Sequence, residues 1–490
     1  MSFNSIHFLC FFPIVVLIYF LIPQKIKYIW LLVASYYFYM SWNPEYAILI
    51  AISTLITYLS GIFIEKTQKV SQKRLWVALS FISNLAILFY FKYFDFFLEN
   101  LNRVVSKFGV HTISKPFDVL LPVGISFYTF QALSYTMDVY RKEIKAEKNI
   151  LKYALFVSFF PQLVAGPIER SKNLISQISQ PHYFEIERVK NGLALMLWGF
   201  FMKLVLADRL AVIVDSIFDN YQSYGGFYIV LAIMFFGFQI YCDFGSYSNI
   251  AIGAAQVMGF NLMKNFEQPY LATSVTDFWR RWHVSLTSWF RDYMYIPLGG
   301  NRKGKLRKYI NILLVFAVSG LWHGASWNFV FWGMLNGFYQ VIGDLCKPIK
   351  AKINTLLRVD KTSFSCRVRE TVITFILVDF AWTFFRAPSL GVALHMIKSA
   401  FAEFNPWIFF DGRIYKLGVD EKDFRVLILG LIVLLIADIL NEKKIEFRTF
   451  LSKQEIWFRW LFYIVAILVI LLLGVYGPAY QTSDFIYFQF

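Results

Sequence analysis

A single imidazole occupies a long uncharged part of this chain. Between Asn311 and Gly343 there is no Asp, Glu, Lys or Arg, and His323 is the one side chain that titrates near neutral pH. A neutral imidazole can take a proton from a hydroxyl group and so turn it into a nucleophile. On a continuous helix, Ser319 and Ser326 would share a face with His323. The spacing predicts a polar stripe around His323. Taken alone it favours a buried His hydrogen-bonded between helices, with a proton acceptor as the alternative.

A second histidine, His283, lies forty residues earlier in the aromatic and basic run TDFWRRWHVSLTSWFRDYMYIPLGGNRKGKLRK (276–308). Four large apolar residues recur there at helical spacing: Phe278, Trp282, Leu286 and Phe290. This spacing predicts an amphipathic helix, which would lie on anionic lipid. The alternative is that the basic side chains of this run, including Arg280 and Arg281, hold the phosphates of a phosphorylated cofactor.

The composition predicts the setting of both histidines. Of 490 residues, 58% are hydrophobic and 16% are charged, whereas soluble globular proteins have roughly 45–50% and about 25%. Apolar stretches recur from Ile6 to Tyr476, which predicts an all-α polytopic membrane protein rather than a barrel of short alternating strands. The net charge of +16 comes from short basic clusters between these stretches. Such clusters fix topology and contact lipid, so they argue against nucleic-acid binding.

We predict about eleven membrane spans plus re-entrant or interfacial pieces, with no internal repeat and no soluble domain. Basic residues follow the first and third spans, at Lys25 and at 66–74, which predicts that the N-terminus lies outside the cytoplasm. The predicted spans are 6–22, 28–42, 46–64, 75–97, 120–140, 153–167, 192–218, 226–242, 248–260, 310–343 (too long for one span), 371–385, 424–440 and 457–475. Pro and Gly interrupt 120–140 and 153–167, which indicates either kinked spans or re-entrant helices lining a cavity.

The remaining polar features favour structural roles. Within YCDFGSYSNIAIGAAQVMGF (241–260), small residues predict tight helix packing and Asp243 a structural partner. The pairs Gly320/Gly324 and Gly333/Gly337 have the spacing that lets helices approach closely. His7, His111 and His182 lie at span edges or in loops, and we interpret His395 as structural. The four cysteines have no paired spacing, so neither a disulfide framework nor a metal site is predicted.

The order of the motifs adds a resemblance. FWRRWHVSLTSWFRDYMYIPLGG followed by SGLWHGASWNFVFWG resembles the membrane-bound O-acyltransferase family, and most of all its alginate O-acetyltransferase branch. LPVGISFYTFQALSYTMDVYR, SFFPQLVAGPIER, the 241–260 segment and NFEQPY are similar to the same branch. The matches run from residue 121 to about 337. The resemblance implies one membrane domain over 1–490, with a motif-bearing core at about 118–345 and peripheral helices at 1–100 and 370–480.

The resemblance also implies a fold and a site. About eleven spans would surround a central funnel, in which His323 corresponds to the family's essential His and His283 to a position occupied by His or Asn. The predicted substrate-binding residues are Ser319, Ser326, Asn328, Arg280, Arg281 and Trp282. No cofactor would be permanently bound, because acetyl-CoA would be the acyl donor substrate.

The implied setting is the bacterial cytoplasmic membrane, with donor entry from the cytoplasm and an acceptor outside. The implied partners are membrane lipid, an extracytoplasmic polysaccharide and a secreted or membrane-anchored acetyltransferase. Three alternatives stay open: D-alanyl transfer to teichoic acid from a carrier protein, a transporter or channel, and a structural subunit that docks a soluble acyltransferase.

Overall fold

The computed structural model describes residues 1–109, 113, 121–445, 447–476 and 485–486, and within these residues the chain is helical with no strands. In chain order the α-helices are α1 (Ile6–Leu21), α2 (Lys27–Met40), α3 (Ala47–Lys66), α4 (Val70–Leu88), α5 (Phe94–Val105), α6 (Ile125–Tyr140), α7 (Ile150–Ser158), α8 (Ser171–Ile178), α9 (Ile186–Phe200), α10 (Asp208–Phe218), α11 (Phe227–Met258), α12 (Val275–Arg281), α13 (Val284–Phe290), α14 (Gly304–His323), α15 (Trp327–Leu345), α16 (Lys347–Leu356), α17 (Phe364–Arg386), α18 (Leu390–Ala402), α19 (Glu421–Glu442), α20 (Phe447–Ser452) and α21 (Ile456–Leu473).

Wider π-helical segments continue three of these helices, at Phe89–Tyr93, Phe201–Ala207 and Arg291–Tyr295. Four helical runs among the described residues are long and apolar enough to cross a membrane: Pro44–Lys66, Val70–Phe108, Phe227–Met258 and Ile456–Leu473. Other long helices, such as α14 and α17, begin with basic residues. The total of about eleven spans and the central funnel stay predictions.

The chain divides into two compact units. The first comprises Met1–Met196 and Tyr247–Met263, and the second comprises Leu197–Ser246 and Lys264–Phe490. In the first unit, α3 packs against α4, α6 and α7, and α2 packs against α7. In the second unit, α14 and α15 form the most extensive helix pair, and α15 also packs against α12 and α17. Both candidate catalytic histidines belong to the second unit.

One predicted interruption is wrong. The stretches 226–242 and 248–260, predicted as separate spans, form the single 32-residue helix α11. Asp243 lies within α11 without breaking it, because its carboxylate accepts hydrogen bonds from Lys203 Nζ at 2.7 Å and from the Ile486 amide at 2.7 Å. Lys203 also forms an ion pair with Asp208 at 2.9 Å. Asp243 therefore has a structural partner within the second unit.

The α14–α15 pair owes its close approach to glycine. A Cβ at Gly333 would lie 2.2 Å from the Phe316 carbonyl oxygen and 3.0 Å from Gly320 Cα. A Cβ at Gly320 would lie 2.2 Å from the Phe329 carbonyl oxygen. The two backbones touch where a side chain would otherwise separate them. This contact fixes α15 against the part of α14 that leads to His323.

Candidate active site

His323 is the last residue of α14, and its side chain is buried with 3% of its surface exposed. The helix ends because Gly324 turns into an extended conformation, with φ −157° and ψ 144°. A Cβ at Gly324 would lie 2.2 Å from the Phe329 ring. The chain therefore leaves the helix through a residue with no side chain, and the imidazole stays at the helix end.

The predicted polar stripe is half wrong. Ser319 is buried on α14, one turn before His323, as helical spacing requires. Ser326 is extended and stands at the N-cap position of α15, so it does not share a helix face with His323. Its hydroxyl instead hydrogen-bonds to Asn328 Oδ1. The prediction failed because it assumed a continuous helix through Gly324.

Asn328 links two helix ends rather than facing an open space. Its amide nitrogen donates to the carbonyl oxygens of Phe384 at 3.3 Å and Ala387 at 2.9 Å. These acceptors lie at and just beyond the end of α17. The side chain is 5% exposed. Asn328 therefore holds the start of α15 against the end of α17, next to the turn that carries His323.

His283 stands at a break between α12 and α13, where a single amphipathic helix was predicted. Its φ of 43° and ψ of 52° are left-handed, a conformation that few residues other than glycine adopt. All four apolar residues of the predicted face are buried: Phe278, Trp282, Leu286 and Phe290. The continuous helix is therefore wrong, and the apolar face that was predicted to lie on lipid is buried inside the protein instead.

The NFEQPY segment satisfies the backbone groups that this break releases. The Glu267 amide donates to the Arg281 carbonyl at 2.9 Å, and the Val284 amide donates to the Asn265 carbonyl at 2.9 Å. The Ser285 hydroxyl donates to Asn265 Oδ1 at 2.6 Å. Buried backbone groups need such partners. Asn265 was missed as a positioning residue, although the asparagine in this motif was its signal.

The two imidazoles are neighbours. The centroids of the His283 and His323 rings are 6.4 Å apart, and the ring planes meet at 62°. His283 is 1% exposed. At this separation one reacting oxygen could lie within hydrogen-bonding distance of both rings.

Aromatic rings surround the pair. Phe244 lies 4.6 Å from His283, measured between centroids. Trp322, Trp332 and Phe385 lie 4.9, 5.1 and 5.5 Å from His323. The rings keep the histidines in an apolar environment, where electrostatic interactions with a reacting group are stronger than in water. None of these aromatic residues was predicted as a site residue, because aromatic residues occur throughout the chain.

Two of the three remaining predicted binding residues have other partners. Trp282 is a core residue, 1% exposed, and stacks on Phe278 at 5.3 Å between centroids. Arg281 forms ion pairs with Asp277 at 3.2 Å and with Glu442 at 2.7 Å. Arg280 is exposed. Of the predicted cationic pair, Arg280 therefore keeps the freer position for a phosphate, whereas Arg281 joins α12 to the end of α19.

The other histidines lie apart from this pair in the sequence and in their contacts. His7 Nε2 lies 3.0 Å from the Tyr37 hydroxyl, and His182 Nε2 lies 2.8 Å from the Gln177 carbonyl. His395 is exposed, with its Nε2 3.5 Å from Ser399 Oγ. His111 lies outside the described residues. Only His283 and His323 are brought together among the described histidines.

A model of MBOAT, the membrane-bound O-acyltransferase family, matches residues 80–377, which include both imidazoles. The chain belongs to the membrane-bound O-acyltransferase family. It is therefore a multi-pass membrane enzyme, an O-acyltransferase, and it falls in the branch that resembles the alginate O-acetyltransferases.

Three relatives show how far the sequence identity to this chain extends. The "Probable alginate O-acetylase AlgI" of Azotobacter vinelandii is 36% identical over 447 residues, which cover 90% of this chain and 85% of the relative. The peptidoglycan O-acetyltransferase of Helicobacter pylori is 35% identical, over 79% of this chain and 77% of its own length. The teichoic acid D-alanyltransferase of Streptococcus thermophilus is 29% identical, over 50% of this chain and 61% of its own length.

Proposed function

We propose that this O-acyltransferase moves an acetyl group from cytoplasmic acetyl-CoA across the membrane for O-acetylation of an extracytoplasmic polysaccharide. The observation that carries the proposal is the buried pair His283 and His323, with ring centroids 6.4 Å apart, within the region that matches the family. Relatives that act on alginate and on peptidoglycan resemble this chain over most of its length, which supports a polysaccharide as the final acceptor.

His323 acts as the general base in this proposal. A hydroxyl oxygen attacks the thioester carbonyl carbon while the His323 imidazole takes the hydroxyl proton. The tetrahedral intermediate then collapses, the carbon–sulfur bond breaks, and the departing thiolate receives the proton from the imidazolium. The products are an ester and the free thiol of CoA, so no proton is gained or lost overall. General base catalysis of this kind contributes about 10²–10⁴-fold in rate.

His283 has the role of orienting or polarising the reacting group. Its ring is held by the left-handed break between α12 and α13 and packs against Phe244. A side chain fixed in this way presents the same atoms to every substrate, which lowers the entropic cost of reaching the reactive geometry. This arrangement supports His283 as a second catalytic residue beside His323.

The distribution of charge supports entry of the donor from the cytoplasm. Lys305, Arg307 and Lys308 lie in the first turns of α14, and Lys347 follows α15. Basic residues at span ends favour the cytoplasmic side. The twenty residues of α14 rise about 30 Å, which is roughly the hydrocarbon thickness of a bilayer. His323 lies at the opposite end of α14 from the basic turns, which supports an acceptor that arrives from outside.

The proposed localisation follows from the same orientation of the chain in the membrane. The chain would lie in the bacterial cytoplasmic membrane with its N-terminus outside the cytoplasm. No permanently bound cofactor is needed, since the donor thioester is itself a substrate. The acetyl group would pass either to the polysaccharide directly or to a secreted or membrane-anchored acetyltransferase that completes the transfer.

A carrier protein charged with D-alanine is the second candidate for the acyl donor. The teichoic acid D-alanyltransferase of Streptococcus thermophilus supports it, but its match covers half of this chain and has lower identity than the O-acetyltransferases. An assay in membrane vesicles distinguishes the two donors, because the vesicles are supplied with either labelled acetyl-CoA or a carrier protein with a labelled D-alanyl group. Label transferred only from the carrier protein would exclude the acetyl donor.

The catalytic assignment is tested by His323→Ala, with His395→Ala as the matched control. His395 is an exposed histidine of the same unit, on α18. We expect His323→Ala to lower O-acetylation of surface polysaccharide about 10²–10⁴-fold at unchanged protein level, because it removes the base. His395→Ala should match the unaltered protein. Normal acetylation in cells that carry His323→Ala would refute the role of this imidazole.

A further inference from the structure

A buried lysine in the first unit, away from the histidine pair in sequence, lines a small cavity. The cavity has a volume of about 20 Å³, which is space for one water-sized group. Its walls include Gln24, Lys27, Tyr28, Gln180 and His182 together with apolar side chains. The Lys27 side chain is 94% buried, with 6% of its surface exposed.

Lys27 is held without a described carboxylate as its partner. Its Nζ donates to the His182 carbonyl oxygen at 2.9 Å and lies 4.7 and 5.2 Å from the ring centroids of Tyr19 and Phe20. An ammonium group has three donors, and only one of them is used by an oxygen among the described residues. Buried charges are normally paired, because the loss of water is costly. The remaining donors therefore favour an anionic oxygen.

The surroundings add positive potential. Lys27 is the first residue of α2, at the point where the helical turn Gln24–Ile26 runs into it, and its backbone N–H donates to the Gln24 carbonyl. The first turns of a helical run carry a partial positive charge. Burial lowers the pKa of His182 against the effect of its hydrogen bond to Gln177, and Arg188 and Lys27 lower it further. His182 is thus a polar neutral neighbour, and Lys27 is the cation at the cavity.

The surface beside the cavity includes large exposed apolar side chains. Leu21, Tyr183 and Phe184 are exposed to 75%, 68% and 59%. Phe184 follows His182 by two residues and packs edge-on against Phe20, at 5.4 Å between centroids. A cationic recess next to exposed aromatic and aliphatic side chains matches a molecule with an anionic head and apolar chains. A free phosphate would use the recess alone.

We propose that the recess formed by Lys27, Gln24 and Gln180 at the start of α2 binds the phosphate of an anionic phospholipid, with one phosphate oxygen on the Lys27 ammonium. Because the cavity holds one water-sized group, the rest of the headgroup lies at its mouth and the acyl chains follow Leu21 and Phe184. This site is independent of the proposed acetyl transfer.

The test compares Lys27→Met with Lys25→Met, which removes an exposed charge from the same turn. Each full-length protein is placed in nanodiscs of phosphatidylcholine that contain phosphatidylglycerol as the anionic probe. The lipid that each protein retains is then measured by native mass spectrometry. We expect Lys27→Met to retain phosphatidylglycerol roughly tenfold to a hundredfold less, as for one lost charge-assisted hydrogen bond. Lys25→Met should retain it as the unaltered protein does.

Three results would overturn the proposal. Equal loss in both variants would mean general attraction of charges rather than a site. No preference for phosphatidylglycerol over phosphatidylcholine in the unaltered protein would mean no anionic lipid is bound. Displacement of the lipid by inorganic phosphate or by CoA at equal concentration would assign the recess to a soluble phosphate. Should Lys27→Met not fold, Gln180→Leu serves instead, since Gln180 is exposed and lines the same recess.

Discussion

The close contact between α14 and α15 can be tested by substituting a glycine, and α15 itself offers a second glycine as the control position. Gly333 and Gly343 both lie in α15, but their surroundings differ. A Cβ at Gly333 would lie 2.2 Å from the Phe316 carbonyl oxygen, whereas ordinary contact begins at 3.4 Å. Nothing lies within 4 Å of a Cβ at Gly343. The same substitution by Ala therefore meets backbone at one position and open space at the other.

The size of the effect follows from this geometry. The obstructing atoms at Gly333 are backbone atoms of α14, including Gly320 Cα at 3.0 Å, so no rotation of a side chain relieves the overlap. The helices must separate by about 1 Å, and overpacking of this kind costs about 1–3 kcal/mol. Gly343→Ala should instead stabilise α15 by about 0.5–1 kcal/mol, because Ala loses less backbone entropy in a helix.

The displacement also reaches the site, since Gly320 precedes His323 by one turn. A misplacement of about 1 Å can lower a rate roughly a hundredfold. The assay measures thermal unfolding of the purified protein and acetyl transfer from labelled acetyl-CoA in membrane vesicles. We expect Gly333→Ala to lower both and Gly343→Ala to lower neither. Equal stability and activity of the two variants would refute the close approach of α14 and α15.

Three further predictions concern buried and half-buried side chains. Lys203→Met removes the ammonium that two buried carboxylates share, and we expect a loss of about 3–5 kcal/mol in the free energy of unfolding, measured by thermal denaturation. Arg281→Ala should cost at most about 1 kcal/mol and leave KM for acetyl-CoA unchanged, because its partly exposed guanidinium already pairs with acidic side chains. A raised KM would make it a donor-binding residue, as we expect for Arg280→Ala. Trp282→Ala should destabilise the protein by about 3–5 kcal/mol through the cavity it leaves, and unchanged folded yield would contradict its place in the core.

The sequence was a good guide wherever the structure follows helical periodicity. The glycine pairs at helical spacing predicted a close approach of helices, and Gly320 and Gly333 lie at such an approach, between α14 and α15. The family motifs, rather than the spacing, selected His283 and His323 from six histidines. The catalytic roles of the two residues stay predictions.

The breaks between helices could not be predicted from helical periodicity. Helical spacing continues across His283, since neither Gly nor Pro marks the break. The break persists because residues of the NFEQPY segment, Asn265 and Glu267, bond to the backbone on both sides of it. These contacts join positions far enough apart in sequence that no local pattern records them. The helix face predicted for Ser326 was wrong for a related reason, because α14 ends at a single glycine, Gly324.

The left-handed backbone of His283 decides how this residue should be probed. At φ 43° and ψ 52°, a β-carbon is tolerated poorly, and asparagine is among the residues that accept this region best. Alanine scanning would therefore change two properties at once, the imidazole and the conformational cost of the corner that carries it. Asparagine keeps the corner and removes only the ring, so His283→Asn is the replacement that reports on chemistry. Because His and Asn satisfy the same backbone requirement, a loss of activity in His283→Asn is assigned to the missing imidazole rather than to a strained corner.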